Sequence, residues 1–237
     1  MTIPLIQNFD RFADYRTAAA ELADLRVSIE QQLNRCHTTG EIPSLGDLEA
    51  KTAEFRKLRE EIGPAGIVLA TYGVNVIDDH TISYIIPRGQ CFLEILRAAD
   101  AAFHFPNLTK YNVNFTLWPE FTSVQAESKR ITIDARVAET CGLSRDQQQE
   151  LLWERGLTVA PLEEVLPAMA LFYMATGESL SGWNESVRSV YTSRVAYGSS
   201  RYSRVCFDKF FGFFLDRTAG KMERQWGNEI TIAARIP

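Results

Sequence analysis

The sequence predicts an α+β protein. An N-terminal antiparallel helical hairpin over residues 1–63 precedes a mixed, largely antiparallel sheet with packed helices over residues 64–237. Three observations predict this. Two early segments carry apolar residues at 3–4 spacing and are joined by a short turn, the pattern of paired helices. Several later segments alternate apolar and polar residues, the pattern of half-buried strands. Helical segments fall unevenly among those strands, which favours α+β over a regular βαβ repeat.

Residues 9 to about 36 read as one long helix, with Phe12, Tyr15, Ala19, Leu22, Ile29, Leu33 and Cys36 along one stripe. Asn8 or Asp10 suits its N-cap. Residues 37–43 form a turn, and Ser44 with Asp47 three positions on is a capping-box variant. The second helix runs to about residue 62, with Leu48, Phe55, Leu58 and Ile62 on one face, and Gly63-Pro64 ends it. A two-helix hairpin buries little area alone. It must pack on the rest of the chain, on a protein partner, or on a second copy in a homodimer.

The pattern then changes to strands. Residues 67–72 are a short β-like run. Residues 74–76 and 82–86 read as hairpin arms, with Asp78-Asp79-His80-Thr81 as the turn. Pro87-Arg88-Gly89 stops the second arm. A helix follows from residue 90 to about 103, facing Phe92, Ile95, Leu96 and Ala99 inward. Residues 111–118 alternate Val113, Phe115 and Leu117 against Asn112, Asn114 and Thr116, which predicts a strand. Residues 129–137 hold another, with Ile131, Ile133 and Ala135 inward.

Residues 144–154 are helical, with Ser144 as a cap. Residues 162–175 form a strongly apolar helix that Pro161 opens, Gly177 closes, and Pro167 kinks or breaks. Three strands complete the chain: residues 187–195, residues 202–215 interrupted near Gly212, and residues 229–236. Phe207, Phe210, Phe211, Phe213 and Phe214 fall on both faces of the middle one, which predicts a central, doubly covered strand. Short turns between successive strands favour antiparallel pairing.

Composition excludes several classes. The chain has 237 residues, 46% of them hydrophobic, with 14 Phe, 14 Gly and 9 Pro. Disorder and collagen-like repeats are excluded. No apolar run reaches the roughly 18–20 residues of a membrane span, so no membrane association is expected. The first ten residues lack the basic start of a signal peptide. Cys36, Cys91, Cys141 and Cys206 form no CxxC pair. Four free thiols in a reducing cytoplasm is the expectation.

Charge is uneven. From Ser181 onward nine basic and five acidic residues give +4, which leaves −9 on the rest of a chain of net charge −5. A basic segment on an acidic protein points to an anionic partner.

No Walker loop, GxGxxG, HExxH or GxSxG is present, so no cofactor is expected. His37, His80 and His104 have no helical metal-ligand spacing. Three features carry chemistry. Cys91 should sit in the first turn of a helix, where free N–H groups and the dipole favour a thiolate. Arg88 would add positive charge and His80 would act as base. The simpler reading is a small apolar residue packing the helix start. Asp78-Asp79-His80 offers two carboxylates and an imidazole for a metal. Adjacent strand residues diverge, however, and Asp favours turns for conformational reasons, so no metal site is assigned.

Residues 186–204 interleave Arg188, Arg194, Arg201 and Arg204 with Tyr191, Tyr197 and Tyr202. Arg holds anions bidentately and Tyr stacks on bases or sugars. The simpler reading is a charged edge hairpin that resists aggregation. The leading functional expectation is a non-catalytic binding or interaction protein with an anionic-ligand patch on this C-terminal hairpin. One alternative is a thiol-dependent hydrolase or transferase using Cys91. Another is a nucleic-acid-binding module.

Overall fold

A computed structural model of the protein describes residues 17, 21, 27, 46–105, 108, 115–135, 140, 143, 145–180, 186–190, 202–208, 212–216 and 230–236. Backbone contacts separate two compact units, divided between Thr71 and Tyr72.

The first unit is built on helix α1 (Gly46–Thr71). Thr17, Glu21 and Val27 are also helical, and Lys51 forms ion pairs with Glu21 and with Glu54 at 3.0 Å. The rest of the first predicted helix lies outside the described residues. Gly63 interrupts α1 at the position where the sequence ends the second helix. Its backbone (φ 64°, ψ −179°) breaks the helical ladder, a conformation that glycine adopts without a Cβ penalty. Pro64 then restarts the helix, because a first-turn residue needs no N–H donor. Residues 67–71, read as β-like from their branched side chains, are therefore helical.

The second unit begins with the expected hairpin. Strands β1 (Asn75–Val76) and β2 (Thr81–Ile86) pair antiparallel, with Val76 opposite Ile82. Helix α2 (Phe92–Phe103) follows and buries Phe92, Leu93, Ile95, Leu96 and Ala99. It stops at His104, which takes a left-handed φ of 57° and donates its N–H to the Asp100 carbonyl at 2.7 Å.

The strand expected over residues 111–118 is not formed at its C-terminal end. Phe115 is helical, and Trp118 caps a short helix, α3 (Pro119–Thr122); residues 111–114 lie outside the described residues. Packing decides this. Phe115, Trp118 and Phe121 recur at spacing three, and their rings cluster, Phe115 stacking on Phe121 at 4.2 Å between centroids. That contact outweighs the alternation of the flanking residues.

Strand β3 (Lys129–Asp134) pairs antiparallel with all six residues of β2. Helix α4 (Arg145–Glu154) and the short strand β4 (Thr158–Val159) lead into helix α5 (Leu162–Thr176). Every residue from Leu162 to Ala175 is buried, and Gly177 closes the helix at φ 76°. Pro167 lies inside α5 without ending it. One lost ladder bond is offset by burial on all sides. A helix apolar all round needs cover on every face. α5 finds it on β2 and β3, on α2, and on two strands of a second sheet, β5 (Ser186–Val190) and β6 (Tyr202–Asp208).

The C-terminal segments follow expectation in their break near Gly212 and differ from it in how the pieces pair. The run over residues 202–215 is two strands, β6 and β7 (Gly212–Asp216), paired antiparallel with Phe207 opposite Phe213. The Phe cluster thus spans a hairpin instead of the two faces of one strand; Phe210 and Phe211 lie outside the described residues. The final run is also two strands, β8 (Ile230–Ile232) and β9 (Ala234–Ile236), which enter different sheets.

The first sheet has the order β1-β2-β3-β9-β4 and is antiparallel throughout. The second has the order β7-β6-β5-β8, with β5 and β8 parallel. Ile82, Tyr84, Ile86, Ile131 and Ile133 are fully buried, as is Ala135. No helix among the described residues is long and apolar enough to cross a membrane.

His104 gives a direct test of helix termination. A left-handed φ costs a non-glycine residue about 1 kcal/mol, and His104 is exposed. We expect His104→Gly to raise stability by roughly 0.5–1 kcal/mol in urea denaturation. A loss of stability would show that the imidazole contributes more than its backbone strain costs.

Candidate functional site

Among the described residues, buried charge gathers where α5 meets the first sheet. α5 opens with Leu162-Glu163-Glu164, and both carboxylate side chains are carried into the interior, Glu164 to 3% exposure and Glu163 to 6%. Lys129, at the start of β3, donates to Glu164 Oε1 at 2.8 Å. Arg235, from β9, brings Nε within 3.6 Å of Glu164 Oε2. Tyr84, from β2, donates its hydroxyl to the Glu164 backbone carbonyl at 2.8 Å. Register explains the convergence. Tyr84 stands opposite Ile131, and Arg235 opposite Ile133, so Tyr84, Lys129 and Arg235 share the sheet face that α5 covers.

Two carboxylates and two cations make this group neutral overall. The helix N-terminus adds favourable potential for the acids. Burial, then the charges of Glu164 and Glu163, push the Tyr84 phenol well above its ordinary value, against the opposing pull of Arg235. Sequence reading missed this group. A signal was present: two adjacent acids opening an otherwise apolar helix must find partners.

Cys91 sits where the sequence placed it, at the start of a helix, as the N-cap of α2. Cys91 and Glu94 form a capping box there. Glu94 Oε2 accepts the Cys91 N–H at 2.8 Å, and the Glu94 N–H donates to the Cys91 carbonyl at 3.1 Å. The Cys-x-x-Glu spacing is a legible capping signal. Close by, burial, then Glu94 and Cys91, push the Tyr72 phenol up to about 12.

Arg88 is exposed, and its N–H donates to Ser128 Oγ at 3.0 Å. His80 is not brought to Cys91. It precedes β2 while Cys91 follows it, about 20 Å apart at strand rise. His80 Nδ1 lies 3.2 Å from the Leu180 carbonyl, and Asp78 Oδ1 accepts the His80 N–H at 2.8 Å. Asp78 thereby closes the hairpin turn. Among the described residues no group of three His, Cys, Asp or Glu is placed to hold a metal.

Of the Arg/Tyr set, β5 carries Arg188, and β6 carries Tyr202 and Arg204. Arg194, Arg201, Tyr191 and Tyr197 lie outside the described residues. The register places Arg188 directly opposite Arg204, and Arg204 opposite Asp216 on its other side. Arg188's other neighbour is Ile232 of β8. The four positions Asp216, Arg204, Arg188 and Ile232 thus form one row across the second sheet.

No protein-family model, curated protein or solved structure matches this chain.

Removing one partner of a buried ion pair leaves an uncompensated charge, at a cost of about 3–5 kcal/mol. Lys129→Met should therefore lower stability; because its side chain is 35% exposed, water rescreens Glu164, and the loss should be nearer 1–2 kcal/mol. Glu164→Ala, which strands two cations able to reach water, should cost a similar amount plus the lost packing. Stability unchanged in both variants, by urea denaturation, would remove the pair from any structural role.

The tyrosines set the alkaline limit. Unfolded phenols ionise near 10, whereas Tyr72 and Tyr84 are raised in the folded chain. The folded state therefore binds more protons above that value. The stability these phenols contribute is full below pH 10 and is lost as pH rises from about 10 towards 12 and beyond. Tyr72→Phe should flatten this decline. Native-state phenolate absorbance that rises at ordinary tyrosine pH for all eight tyrosines would contradict it.

Proposed function

We propose that the protein is a non-catalytic binding protein whose second sheet takes an anionic ligand at Arg188 and Arg204. The register opposing these two arginines is the observation that supports this reading. Like charges directly opposite on a sheet are destabilising. Opposed positions of an antiparallel pair lie about 4.5–5.5 Å apart between Cα atoms, so two guanidinium groups there can share one phosphate-sized anion. Such an anion converts the repulsion into two charge-assisted contacts. Asp216 stands opposite Arg204 only. No acidic residue is in register directly opposite Arg188 among the described residues.

The +4 balance beyond Ser181 supports the same reading. Tyr202 shares a face with Arg204 by strand periodicity and offers a ring for a sugar or base attached to the anion. In this reading Arg194, Arg201, Tyr191 and Tyr197 extend the patch along the connection from β5 to β6. The N-terminal helices serve self-association or partner contact, and the protein works in the cytoplasm.

The test is calorimetric titration with inorganic phosphate, followed by the double variant Arg188→Glu with Arg204→Glu. Charged hydrogen bonds contribute about 1.5–3 kcal/mol each, so the double variant should lose phosphate binding by more than about tenfold. Full affinity in the double variant would overturn the proposal. Retention on DNA that far exceeds phosphate binding and falls steeply with salt would instead mark a nucleic-acid-binding module.

A further inference from the structure

The segment around α3 buries its rings and exposes its aliphatic side chains. Phe115, Trp118 and Phe121 are buried and packed on one another. Leu117, just before α3, and Val124, just after it, stand in solvent at 81% and 64% exposure. Between them lies Glu120. Among the described residues it is the one carboxylate with both oxygens shielded from solvent and neither hydrogen-bonded. It forms no ion pair within the described chain. The neighbouring hydroxyls are committed to the backbone. Ser123 Oγ donates to the Pro119 carbonyl at 2.6 Å, and Thr122 Oγ1 donates to the Trp118 carbonyl at 3.2 Å. From Phe115 to Ser128 the chain carries Glu120 and Glu127 and no basic residue.

A carboxylate withdrawn from water is costly unless a cation or hydrogen-bond donors replace its hydration. Buried polar groups in native proteins are almost always partnered. We propose that Leu117, Glu120 and Val124 form a docking surface for a protein partner, which seats there an arginine flanked by apolar residues. Charge complementarity selects a cation. Two unsatisfied oxygens select arginine over lysine, because a guanidinium fork donates to both at once while an ammonium acts as a point charge. The partner's apolar flanks cover Leu117 and Val124 and keep water from the ion pair, the setting in which a charged contact becomes a binding hot spot. Glu120 is half-buried as a residue, so its carboxylate meets the arginine by a change of rotamer and not by backbone movement. This surface shares no residue with the arginine row of the second sheet.

The probe is an acetylated and amidated hexapeptide of alternating leucine and arginine, titrated calorimetrically into the full chain. Glu120→Gln should weaken its binding by at least about tenfold. Glu127→Gln removes the same charge from an exposed position nearby and should change the affinity by less than about twofold. The leucine and lysine counterpart should bind at least about threefold more weakly. Without peptide, Glu120→Gln should unfold at a higher urea concentration, because an unpaired charge is removed and no contact is lost. Leu117→Ser, at an exposed position, should weaken the peptide by at least about threefold and leave the urea midpoint unchanged.

Absence of peptide binding by the unaltered chain would overturn the docking surface, as would equal affinity in Glu120→Gln and Glu127→Gln. A lower urea midpoint in Glu120→Gln would overturn it too, by showing that the chain already holds this carboxylate. None of these outcomes bears on phosphate binding at Arg188 and Arg204.

Discussion

Burying Glu164 constrains the rest of the second unit. A carboxylate taken out of water costs several kcal/mol unless cations and hydrogen bonds replace its hydration. α5 cannot leave Glu164 at the surface, because every residue around it from Leu162 to Ala175 is buried. Lys129 must then come from β3 and Arg235 from β9. Apolar packing alone tolerates sliding, since it depends on area and not on direction. The ion pairs and the Tyr84 hydroxyl do not tolerate it. They fix where α5 starts relative to three strands, and the isoleucines of β2 and β3 then fill the space that this position leaves.

The same constraint makes the C-terminal residues structural. β9 is last in the chain yet lies between β3 and β4. The first sheet is incomplete until these residues arrive, and one of Glu164's two cations arrives with them. Long-range pairing of this kind is entropically costly to close and forms late relative to local hairpins such as β1–β2. The parallel contact of β8 with β5 is a consequence. A segment that leaves the second sheet and enters the first within a few residues sets its own direction in both.

Elements with strong local patterns were legible in the sequence. The stripe Phe92, Ile95, Leu96 and Ala99 sufficed for α2, and Ile131, Ile133 and Ala135 for β3, because one face of each is buried. Residues 229–236 read as a single strand because nothing local marks a change of sheet; Ala233 is simply small enough to pass between them. Residues 115–118 do not reveal their helix because spacing two and spacing three coexist there, and ring packing selects the latter. Arg188 and Arg204 were visible as residues but not as an opposed pair. Register depends on which strands meet, and a one-residue slip reverses the face of every side chain. Glu164 went unnoticed because its partners are remote in sequence, with Lys129 already 35 residues away.

The two charge clusters differ in how their charge is balanced. At Glu164 the chain brings its own counter-charges from β3 and β9, and the group can be sealed by α5. In the second sheet two arginines meet in register with a single aspartate beyond one of them. Ile232 stands on the other side of Arg188, so no counter-charge is in register with Arg188 among the described residues. The first arrangement holds its counter-charges within the folded chain and serves its architecture. The second leaves two like charges opposed, which is destabilising on a sheet, and only Ala233 and Ala234 lie between Ile232 at its end and Arg235 of the first.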